Sequence, residues 1–404
     1  MNEVMPQESA PAETPTKAPS KTEDLTFHGS PKPSLGAELE LQILDRETGD
    51  LAPGAVRILK VCEQQKIEGV SAELMQSMFE VKTGVCNSVA EVRDQLASRL
   101  RRARIVAASL GFELALGGTH PFHRSSGSVV FPEERYERIV ERLAWLTYQR
   151  VVFGLHVHVG VPDGDTAMTV SNLLVKYLPH LIAVSANSPF WQGVDTGLAS
   201  SRAALYALLP HSGVPPQFRK WKEFRTYCQV MRDTKTIASF KDIYWDIRPR
   251  PDYGTLEFRI CDMPPSLSLT MAIVALTRCL VISSIQLLKE RPQVARGDQR
   301  RHWIASENKW LATRYGMDAL FIRTPGGKRR PLKKDLAELI DRMLPIAKAQ
   351  GDDAFLAPLV RLDPFESGAD WARNLFRQSG NWKSLVDAMI RRFADELEGV
   401  KYEG

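Results

Sequence analysis

The first long β-strand that the sequence predicts has an apolar face and an acidic face. Between Leu35 and Ile43, every second residue is apolar. Because successive side chains of a strand point to opposite faces of a sheet, this pattern predicts one buried face and one polar face. Glu38 and Glu40 lie side by side on the polar face. Taken alone, such a Glu-x-Glu pair is typical of a solvent-exposed strand, so its meaning depends on the other strands.

Three further predicted strands also combine an apolar face with an ionisable one. Their ionisable residues are Glu80 in 77–84, His156 and His158 in 152–160, and Glu257 and Arg259 in 254–260. Another carboxylate, Glu73, lies seven residues before Glu80. Each pattern alone has an ordinary structural explanation, and a His-x-His pair alone is typical of a zinc or structural site. We expect the four polar faces to line one concave sheet.

A shared face of this kind needs positive charge. Carboxylates that lie close together repel one another and have raised pKa values unless cations neutralise them. Mg²⁺ and Mn²⁺ prefer oxygen ligands, and Mn²⁺ accepts a single imidazole more readily than Mg²⁺ does. The pattern therefore indicates a site for divalent cations, although the strands alone do not decide between this site and the ordinary explanations.

Helical patterns alternate with the strands and dominate the last third of the chain. They cover about 133–150 and 166–187, and later 267–290, 299–315, 331–349, 368–378 and 381–398. We therefore predict an α+β fold whose mainly antiparallel sheet is covered by helices on one side. The segment Leu267 to Leu288 is long and apolar, but Arg278 interrupts it, which favours a buried or amphipathic helix over a membrane span.

Composition excludes several classes of protein. The chain is 44% hydrophobic and 25% charged with a net charge of +5, and no basic stripe interleaved with aromatic residues suggests nucleic-acid binding. The five cysteines are scattered without a Cys-x-x-Cys, so neither a disulfide framework nor a thiolate zinc site is indicated. With no apolar signal core at the N-terminus, a cytoplasmic location and no membrane association are expected. Residues 1–32 are rich in Pro, Ser, Thr, Glu and Lys and are predicted to be a disordered tail.

Several segments together resemble the type 2 glutamate–cysteine ligase family, whose members are also called carboxylate–amine ligases. The segments are 36–42 (GAELELQ), 74–84 (LMQSMFEVKTG), 154–160 (GLHVHVG), 185–193 (SANSPFWQG) and 245–259 (WDIRPRPDYGTLEFR). They occur in the family's order. The resemblance implies one catalytic domain over residues 33–404, including the C-terminal helices. It also implies a glutamine synthetase-like fold, in which a curved sheet forms a funnel for nucleotide and metal ions.

The resemblance assigns a role to each polar residue. Two sets of metal ligands are implied, namely Glu40, Glu73 and Glu80 for one ion and Glu38, His156 and Glu257 for a second. His158 is implied as a contact to the nucleotide phosphates. Arg259 would contact the transferred phosphoryl group and act there with Glu257. Candidates for holding a substrate carboxylate are Arg202, in a segment that resembles a substrate loop, together with Arg248 and Arg250.

The activity that the resemblance implies is ATP-dependent joining of the L-glutamate γ-carboxylate to the L-cysteine amine through an acyl phosphate. It would require two or more Mg²⁺ or Mn²⁺ ions and small-molecule substrates, and a homodimer is a further expectation. No Gly-x-x-x-x-Gly-Lys-Ser/Thr motif is present, so a P-loop is not the phosphate site. Three alternatives remain open: a ligase of the same mechanism with another carboxylate or amine, a non-catalytic nucleotide- or metal-binding module, and a zinc hydrolase centred on His156 and His158.

Overall fold

An antiparallel sheet of seven strands is the centre of the fold. The computed structural model describes residues 25–293, 300–323, 326–360, 362 and 365–399. The strands are β1 (Leu35–Asp45), β2 (Val70–Ala72), β3 (Met78–Lys82), β4 (Phe112–Ala115), β5 (Gly154–Gly160), β6 (Phe190–Trp191), β7 (Val194–Asp195), β8 (Ser212–Gly213), β9 (Tyr244–Trp245), β10 (Ile247–Arg250), β11 (Thr255–Asp262), β12 (Leu320–Ile322) and β13 (Arg329–Pro331).

Helices surround this sheet and form most of the last third of the chain. They are α1 (Ala55–Gln64), α2 (Val89–Ser109), α3 (Glu134–Leu143), α4 (Trp145–Tyr148), α5 (Gly164–Leu174), α6 (Leu178–Ser185), α7 (Ser201–Tyr206), α8 (Trp221–Asp233), α9 (Leu267–Glu290), α10 (Arg300–Tyr315), α11 (Leu332–Gln350), α12 (Ala357–Val360), α13 (Gly368–Ser379) and α14 (Trp382–Gly399). The prediction of an α+β fold with a large antiparallel sheet is confirmed.

The main sheet runs in the order β10-β11-β5-β1-β3-β2, and β4 pairs with the C-terminal half of β1 beyond the end of β5. All of these pairings are antiparallel. The odd-numbered residues from Leu35 to Ile43 are buried, as the alternating sequence predicts, and Leu39 and Leu41 have no exposed surface. Helices α2, α5, α6 and α9 pack against the sheet. The even-numbered residues of β1 therefore share the opposite, polar face.

Two apolar stretches are long enough to cross a membrane by length and composition, at Gly164–Ser185 and Leu267–Glu290. In each, most of the apolar window is buried inside the protein, 83% in the first and 67% in the second. Arg278 lies within α9 and pairs with the buried carboxylate of Asp352, at 2.7 Å between Nη1 and Oδ2. These helices are core elements, in agreement with the sequence prediction for the second.

Two predicted helices are each interrupted. The segment 133–150 divides into α3 and α4 because Ala144 has a positive φ of +47°. The segment 166–187 changes to a short 3₁₀ turn at residues 175–177, just before Pro179. Pro179 stands in the first turn of α6, where its missing N–H does not break a helical hydrogen bond.

The N-terminal boundary of the folded chain differs from the expectation. Residues 1–24 of the predicted tail lie outside the described residues. Residues 25–32 contact the folded body, since Leu25 is buried and its carbonyl accepts a hydrogen bond from Trp221 Nε1 at 2.8 Å. Phe27 packs edge-on against the same indole, and Ser30 N–H donates to the Val161 carbonyl at 2.8 Å. Ordered structure therefore begins before residue 33, because Leu25 and Phe27 contact Trp221. The polar composition of the segment does not predict this contact.

Candidate active site

The register of the sheet places the predicted ionisable residues next to one another on its polar face. Glu40 of β1 lies directly opposite Glu80 of β3, and Glu38 lies opposite His156 of β5. Farther along the sheet, His158 of β5 lies opposite Glu257 of β11, and Glu257 lies opposite Arg248 of β10. Directly opposed residues on one face are close enough for their side chains to interact. One continuous polar row therefore crosses the sheet.

Arg259 lies at an irregularity in β11. Phe258 pairs with Val157 and Cys261 with Leu155, so three residues of β11 advance against two of β5, as in a β-bulge. The Arg259 carbonyl accepts hydrogen bonds from the Arg202 guanidinium at 3.1 and 3.2 Å. The bulge and this buried guanidinium together fix the backbone from which the Arg259 side chain extends into the site.

Glu40, Glu73 and Glu80 form the first group of potential metal ligands. One carboxylate oxygen of each lies within 4.8 Å of the others. Burial and the negative charges of Glu73, Glu38 and Glu40 hold the pKa of Glu80 well above its ordinary value. Burial also raises the pKa of Glu40, although its carboxylate accepts a hydrogen bond from Gly154 N–H. Glu73 stands in the connection between β2 and β3, close to the sheet although it belongs to no strand.

Glu38 connects this group with the two histidines. Its carboxylate lies 3.2 Å from His156 Nδ1 and 3.3 Å from His158 Nε2. Potential ligand atoms cluster in two further groups, one of Glu38, Glu80 and His156 and one of Glu38, His158 and Glu257. The set predicted for the second ion is Glu38, His156 and Glu257, so it contains His156 where this last group contains His158. Both imidazoles lie 4.0 Å from Glu257 Oε1. Assignment of one histidine to the second ion stays a prediction.

The donor atoms of these groups fit Mg²⁺ or Mn²⁺. Each group contains two or three carboxylates and at most one imidazole. Hard cations prefer this set, whereas catalytic zinc sites commonly use several imidazole or thiolate ligands. Nε2 of His156 and Nε2 of His158 are buried beside the carboxylates of Glu40 and Glu38, at 3.5 and 3.3 Å, but neither contact has the geometry of a hydrogen bond. Since buried polar atoms rarely stay unpaired, these nitrogens and the crowded carboxylates indicate a position for cations.

Glu257 is surrounded by positive charge. The Arg248 guanidinium binds its carboxylate in a bidentate manner at 2.8 and 3.0 Å, while Arg259 donates to it at 2.5 Å and Arg250 at 3.5 Å. Although burial opposes the shift, the charges of Arg248 and Arg259 hold the pKa of Glu257 well below its ordinary value. Glu257 is therefore ionised and anchors the arginines at one end of the polar row.

The arginines predicted to hold a substrate carboxylate have different environments. Arg202 is 1% exposed, and its guanidinium is directed at backbone carbonyls and over the Tyr206 ring. Arg248 and Arg250 line the open cleft, and Arg250 also stacks on Tyr253, with its Cζ 4.6 Å from the ring centre. The substrate role stays a prediction for all three, and the structure gives Arg202 the least contact with the cleft.

A cleft with an empty volume of about 1080 Å³, open to solvent, covers the polar face. The sequence analysis did not identify several residues that line it, namely Tyr136, Arg150, Tyr206, Lys241 and Tyr244. Tyr136 and Tyr206 lie on helices, and Arg150 lies in a connection. Lys241 lies in a short 3₁₀ turn and Tyr244 in the two-residue strand β9, which is too short to show an alternating pattern. For Arg150 the sequence contained one usable indication. It lies an even number of residues before Gly154, His156 and His158, which predicts that it points to the same face.

A second pocket of about 1180 Å³ adjoins this cleft. Both are lined by Glu38, Lys82 and Tyr253, and only the second contains His158. Its other walls include Ser34–Ala37, Thr83–Val85, Arg99 and Asp252. The polar row thus lies where two cavities meet, which leaves space for two molecules that contact each other above it.

Solved structures with the same fold are ligases. The glutamate–cysteine ligase of Francisella tularensis, crystallised with AMP, has a TM-score of 0.64 and 12% sequence identity, covering 93% of this chain and 91% of that one. A bifunctional glutathione synthetase from Pasteurella multocida has a TM-score of 0.66 and 14% identity, covering 91% of this chain and 53% of that one. The chain thus has the fold of these two ligases.

Sequence comparison gives the family. Residues 34–390 match the family described as glutamate–cysteine ligase family 2. A Thermobifida fusca protein whose name, glutamate–cysteine ligase 2, is provisional is 38% identical over 378 residues, covering 91% of this chain and 93% of that protein. A Bdellovibrio bacteriovorus protein with the same provisional name is 36% identical over 381 residues, covering 94% and 100%. The chain belongs to glutamate–cysteine ligase family 2 and is an enzyme of that ligase type.

Proposed function

We propose that this enzyme uses ATP to join the γ-carboxylate of L-glutamate to the amine of L-cysteine through an acyl phosphate. The observation that carries the proposal is the row of carboxylates and imidazoles that runs to the Glu257–Arg259 pair. Two adjoining cavities border this row and share Glu38, Lys82 and Tyr253. A nucleotide in one cavity and a carboxylate in the other would meet above this row. The family and the AMP-bound structural neighbour support the same reaction class.

The chemistry explains why such a site needs ATP. A free carboxylate is a poor acylating agent because its leaving group would be oxide. In the first step a carboxylate oxygen attacks the γ-phosphorus, the bond to the β–γ bridging oxygen breaks, and ADP leaves. In the second step the amine nitrogen attacks the acyl carbon, the carbon–oxygen bond to phosphate breaks, and the nitrogen loses a proton. The products are the amide, ADP and phosphate.

We propose that Glu40, Glu73 and Glu80 hold one divalent ion, and that Glu38 and Glu257 hold a second together with His156 or His158. Bound ions would neutralise the phosphate oxygens and the developing charge of the phosphoryl group. Arg259 adds a fixed positive charge there, since its guanidinium is oriented by Glu257 and by the Tyr206 hydroxyl, 3.2 Å from Nη2. Glu257 thus acts in part by positioning Arg259.

The second pocket is the proposed place for the nucleoside. It contains His158, which the sequence resemblance assigns to the phosphates, and it opens onto the polar row at Glu38 and Lys82. The cleft on the other side, lined by Arg248 and Arg250, would then take the carboxylate and the amine. All five cysteines are free and buried, which agrees with the reducing cytoplasm that we propose as the location.

The test is a reaction matrix. Purified protein with ATP and Mg²⁺ or Mn²⁺ is supplied with pairs of carboxylates and amines, beginning with L-glutamate and L-cysteine, and products are identified by mass. One amide bond per ATP cleaved is the expected result, and Glu257→Ala is expected to abolish it. Turnover with a different pair would keep the reaction class and replace the substrates. An absence of carboxylate-dependent ATP cleavage with every pair and both metals would contradict the ligase proposal.

A further inference from the structure

One arginine of the cleft is hydrogen-bonded to Tyr206 but keeps two further buried donors without an acceptor among the described residues. Arg150 lies between the end of α4 and the start of β5, and it lines the cleft that contains Glu40 and Glu80. Its Nε and Nη1 are buried and find no hydrogen-bond acceptor among the described residues. Arg248 and Arg259, in the same cleft, both bind the Glu257 carboxylate. Arg150 therefore differs from them, because its buried donors are left for something outside the chain.

Aromatic side chains hold the Arg150 guanidinium in place. Its Cζ lies 4.8 Å from the centre of the Tyr244 ring, a cation–π distance. Tyr206, on α7, lines the same part of the cleft, and its hydroxyl accepts a hydrogen bond from Arg259 Nη2 at 3.2 Å. Arg150 is also hydrogen-bonded to Tyr206, so that Tyr244 and Tyr206 together orient its guanidinium.

A guanidinium with free, buried donors is a receptor for a planar anion. Its N–H groups match the two oxygens of a carboxylate, and such charge-assisted pairs are stronger than neutral hydrogen bonds. Buried donors without acceptors are unfavourable, so the arrangement gains most when a ligand supplies the oxygens. Glu73 also lines the cleft and attracts Arg150 electrostatically, but its carboxylate accepts no hydrogen bond from the two unpaired donors.

We propose that Arg150 binds a substrate carboxylate that does not react, in the part of the cleft beside Tyr206 and Tyr244. This inference rests on the proposed function and defines its substrate class: at least one substrate carries a carboxylate besides the bond-forming groups. That group is either the α-carboxylate of the donor or the carboxylate of an amino-acid amine. Simple amines and monocarboxylic acids would leave Arg150 unpaired and be poor substrates.

The experiment compares Arg150→Met with Arg150→Lys and with Arg138→Met. Arg138 lies on the exposed surface of α3 outside the cleft, so its replacement controls for the loss of one positive charge. KM is measured separately for L-glutamate and L-cysteine, and again with hydroxylamine, which carries no carboxylate, in place of the amino acid. Arg150→Met is expected to raise one KM roughly tenfold to a hundredfold. Arg150→Lys retains the positive charge but not the planar guanidinium that binds a carboxylate in a bidentate manner. Its KM should therefore lie between those of wild type and Arg150→Met.

The measurements with hydroxylamine identify which substrate carries the carboxylate that Arg150 binds. A raised KM for the amino-acid amine, with unchanged hydroxylamine-dependent turnover, assigns Arg150 to the amine substrate. A raised KM for L-glutamate with both nucleophiles assigns it to the donor. If Arg150→Met lowers the melting temperature but leaves both KM values unchanged, Arg150 is structural and the inference is overturned.

A direct binding measurement separates this inference from the ligase proposal. If the wild-type protein turns over no substrate pair, calorimetric titration with L-glutamate and with L-cysteine still tests Arg150. Binding by the wild type and by Arg138→Met, but not by Arg150→Met, would support the carboxylate subsite even though the ligase proposal had failed. No binding by the wild type, or equal binding by wild type and Arg150→Met, overturns the inference.

Discussion

Glu40 and Glu80 are paired directly across the β1–β3 ladder. Glu40 is 5% exposed, and the Glu80 side chain is 12% exposed. Like charges in opposed positions of a sheet destabilise it. The raised pKa of Glu80, which burial and three neighbouring carboxylates cause, reflects the same repulsion. The sheet therefore holds a pair that is unfavourable by itself and that a bound cation would make favourable.

Replacing Glu80 by Gln should separate the repulsion between the carboxylates from the stabilisation by a bound cation. Without divalent metal, Glu80→Gln is expected to melt at the wild-type temperature or above it, because a repulsive charge has been removed. With Mn²⁺, the wild type should gain about 2.7 kcal/mol at a metal concentration 100 times Kd, and the variant much less. Melting temperatures with and without MnCl₂ measure both effects. Exposed Glu137→Gln is the control and should behave as the wild type.

A metal-dependent gain of equal size in Glu80→Gln and wild type would exclude Glu80 as a ligand. A large loss of stability in the variant without metal would show instead that the ionised Glu80 carboxylate is required by the fold.

Glu257 also stabilises the fold, so a loss of activity on its replacement can have a structural cause. Its carboxylate pairs with Arg248, Arg250 and Arg259 at once. Glu257→Gln would leave these buried cations without their anion, and breaking a buried pair in this way destabilises by about 3–5 kcal/mol. Urea denaturation should show this loss. The double variant Glu257→Gln/Arg248→Met should recover part of it, because one of the unpaired charges is gone.

An unchanged urea midpoint in Glu257→Gln would contradict this electrostatic account. It would also simplify the activity test, since any lost turnover could then be attributed to the site rather than to the fold.

Gly154 is expected to tolerate no side chain. A Cβ at this position would overlap the Arg202 guanidinium, which is fixed by the carbonyls of Arg259 and Ile260 and cannot withdraw. Overpacking of a core typically costs about 1–3 kcal/mol, so Gly154→Ala should lower the urea midpoint by a corresponding amount. At Gly84, an added Cβ would meet only Gln95 Oε1 at 3.7 Å, so Gly84→Ala is a matched control.

Equal stability of Gly154→Ala and Gly84→Ala would mean that Arg202 can move. It would then be available to the cleft, and the predicted role of Arg202 in holding a substrate carboxylate would gain support.

The sequence predicted the strands of the site well because alternation is a local property. Leu35 to Ile43 shows its buried and polar faces without reference to any other segment, and β1 has these faces in the structure. The grouping of Glu40, Glu73 and Glu80 came from the family resemblance, and the structure brings these carboxylates together. Helix bounds were also close, since α9 begins and ends where its pattern does.

Long-range relationships could not be read from the same patterns. The register that sets His158 rather than His156 opposite Glu257 depends on how two distant strands align. The bulge at Arg259 and the burial of Arg202 beneath it follow from packing across the sheet. The anchoring of residues 25–32 depends on Trp221, which is nearly 200 positions away in the chain.

The buried pair of Arg278 and Asp352 should be essential for stability. Arg278 lies in the core helix α9, where it binds Asp352 and the backbone carbonyls of Asn87 and Pro33. Asp352→Ala would leave this guanidinium without its anion and is expected to cost about 3–5 kcal/mol in urea denaturation. The partly exposed pair of Lys383 and Asp387 supplies the control. Asp387→Ala should cost at most about 0.5 kcal/mol. Similar losses in the two variants would contradict the assignment of Arg278 as a buried charge.

His120 should make the fold sensitive to acid. Burial lowers its pKa from 6.5 to about 4. Its Nδ1 accepts the backbone N–H of His123 at 3.0 Å, and its Nε2 lies 2.9 Å from the Gly49 carbonyl, so the imidazole is neutral with the proton on Nε2. Protonation would direct a new N–H at a backbone donor. Asp50 and His123 are the ionisable groups nearest to it.

The direction of the pH dependence follows from proton linkage. Between pH 6.5 and about 4 the unfolded chain binds a proton at His120 and the folded chain does not. Stability should therefore fall as the pH falls through this window, by up to about 3 kcal/mol at 1.36 kcal/mol per pKa unit. Asp50, whose pKa is below its ordinary 3.8, loses its contribution only at lower pH. Urea denaturation at several pH values should show a smaller slope for His120→Asn than for wild type, with exposed His28→Asn following the wild type. An equal slope in His120→Asn would locate the acid sensitivity elsewhere.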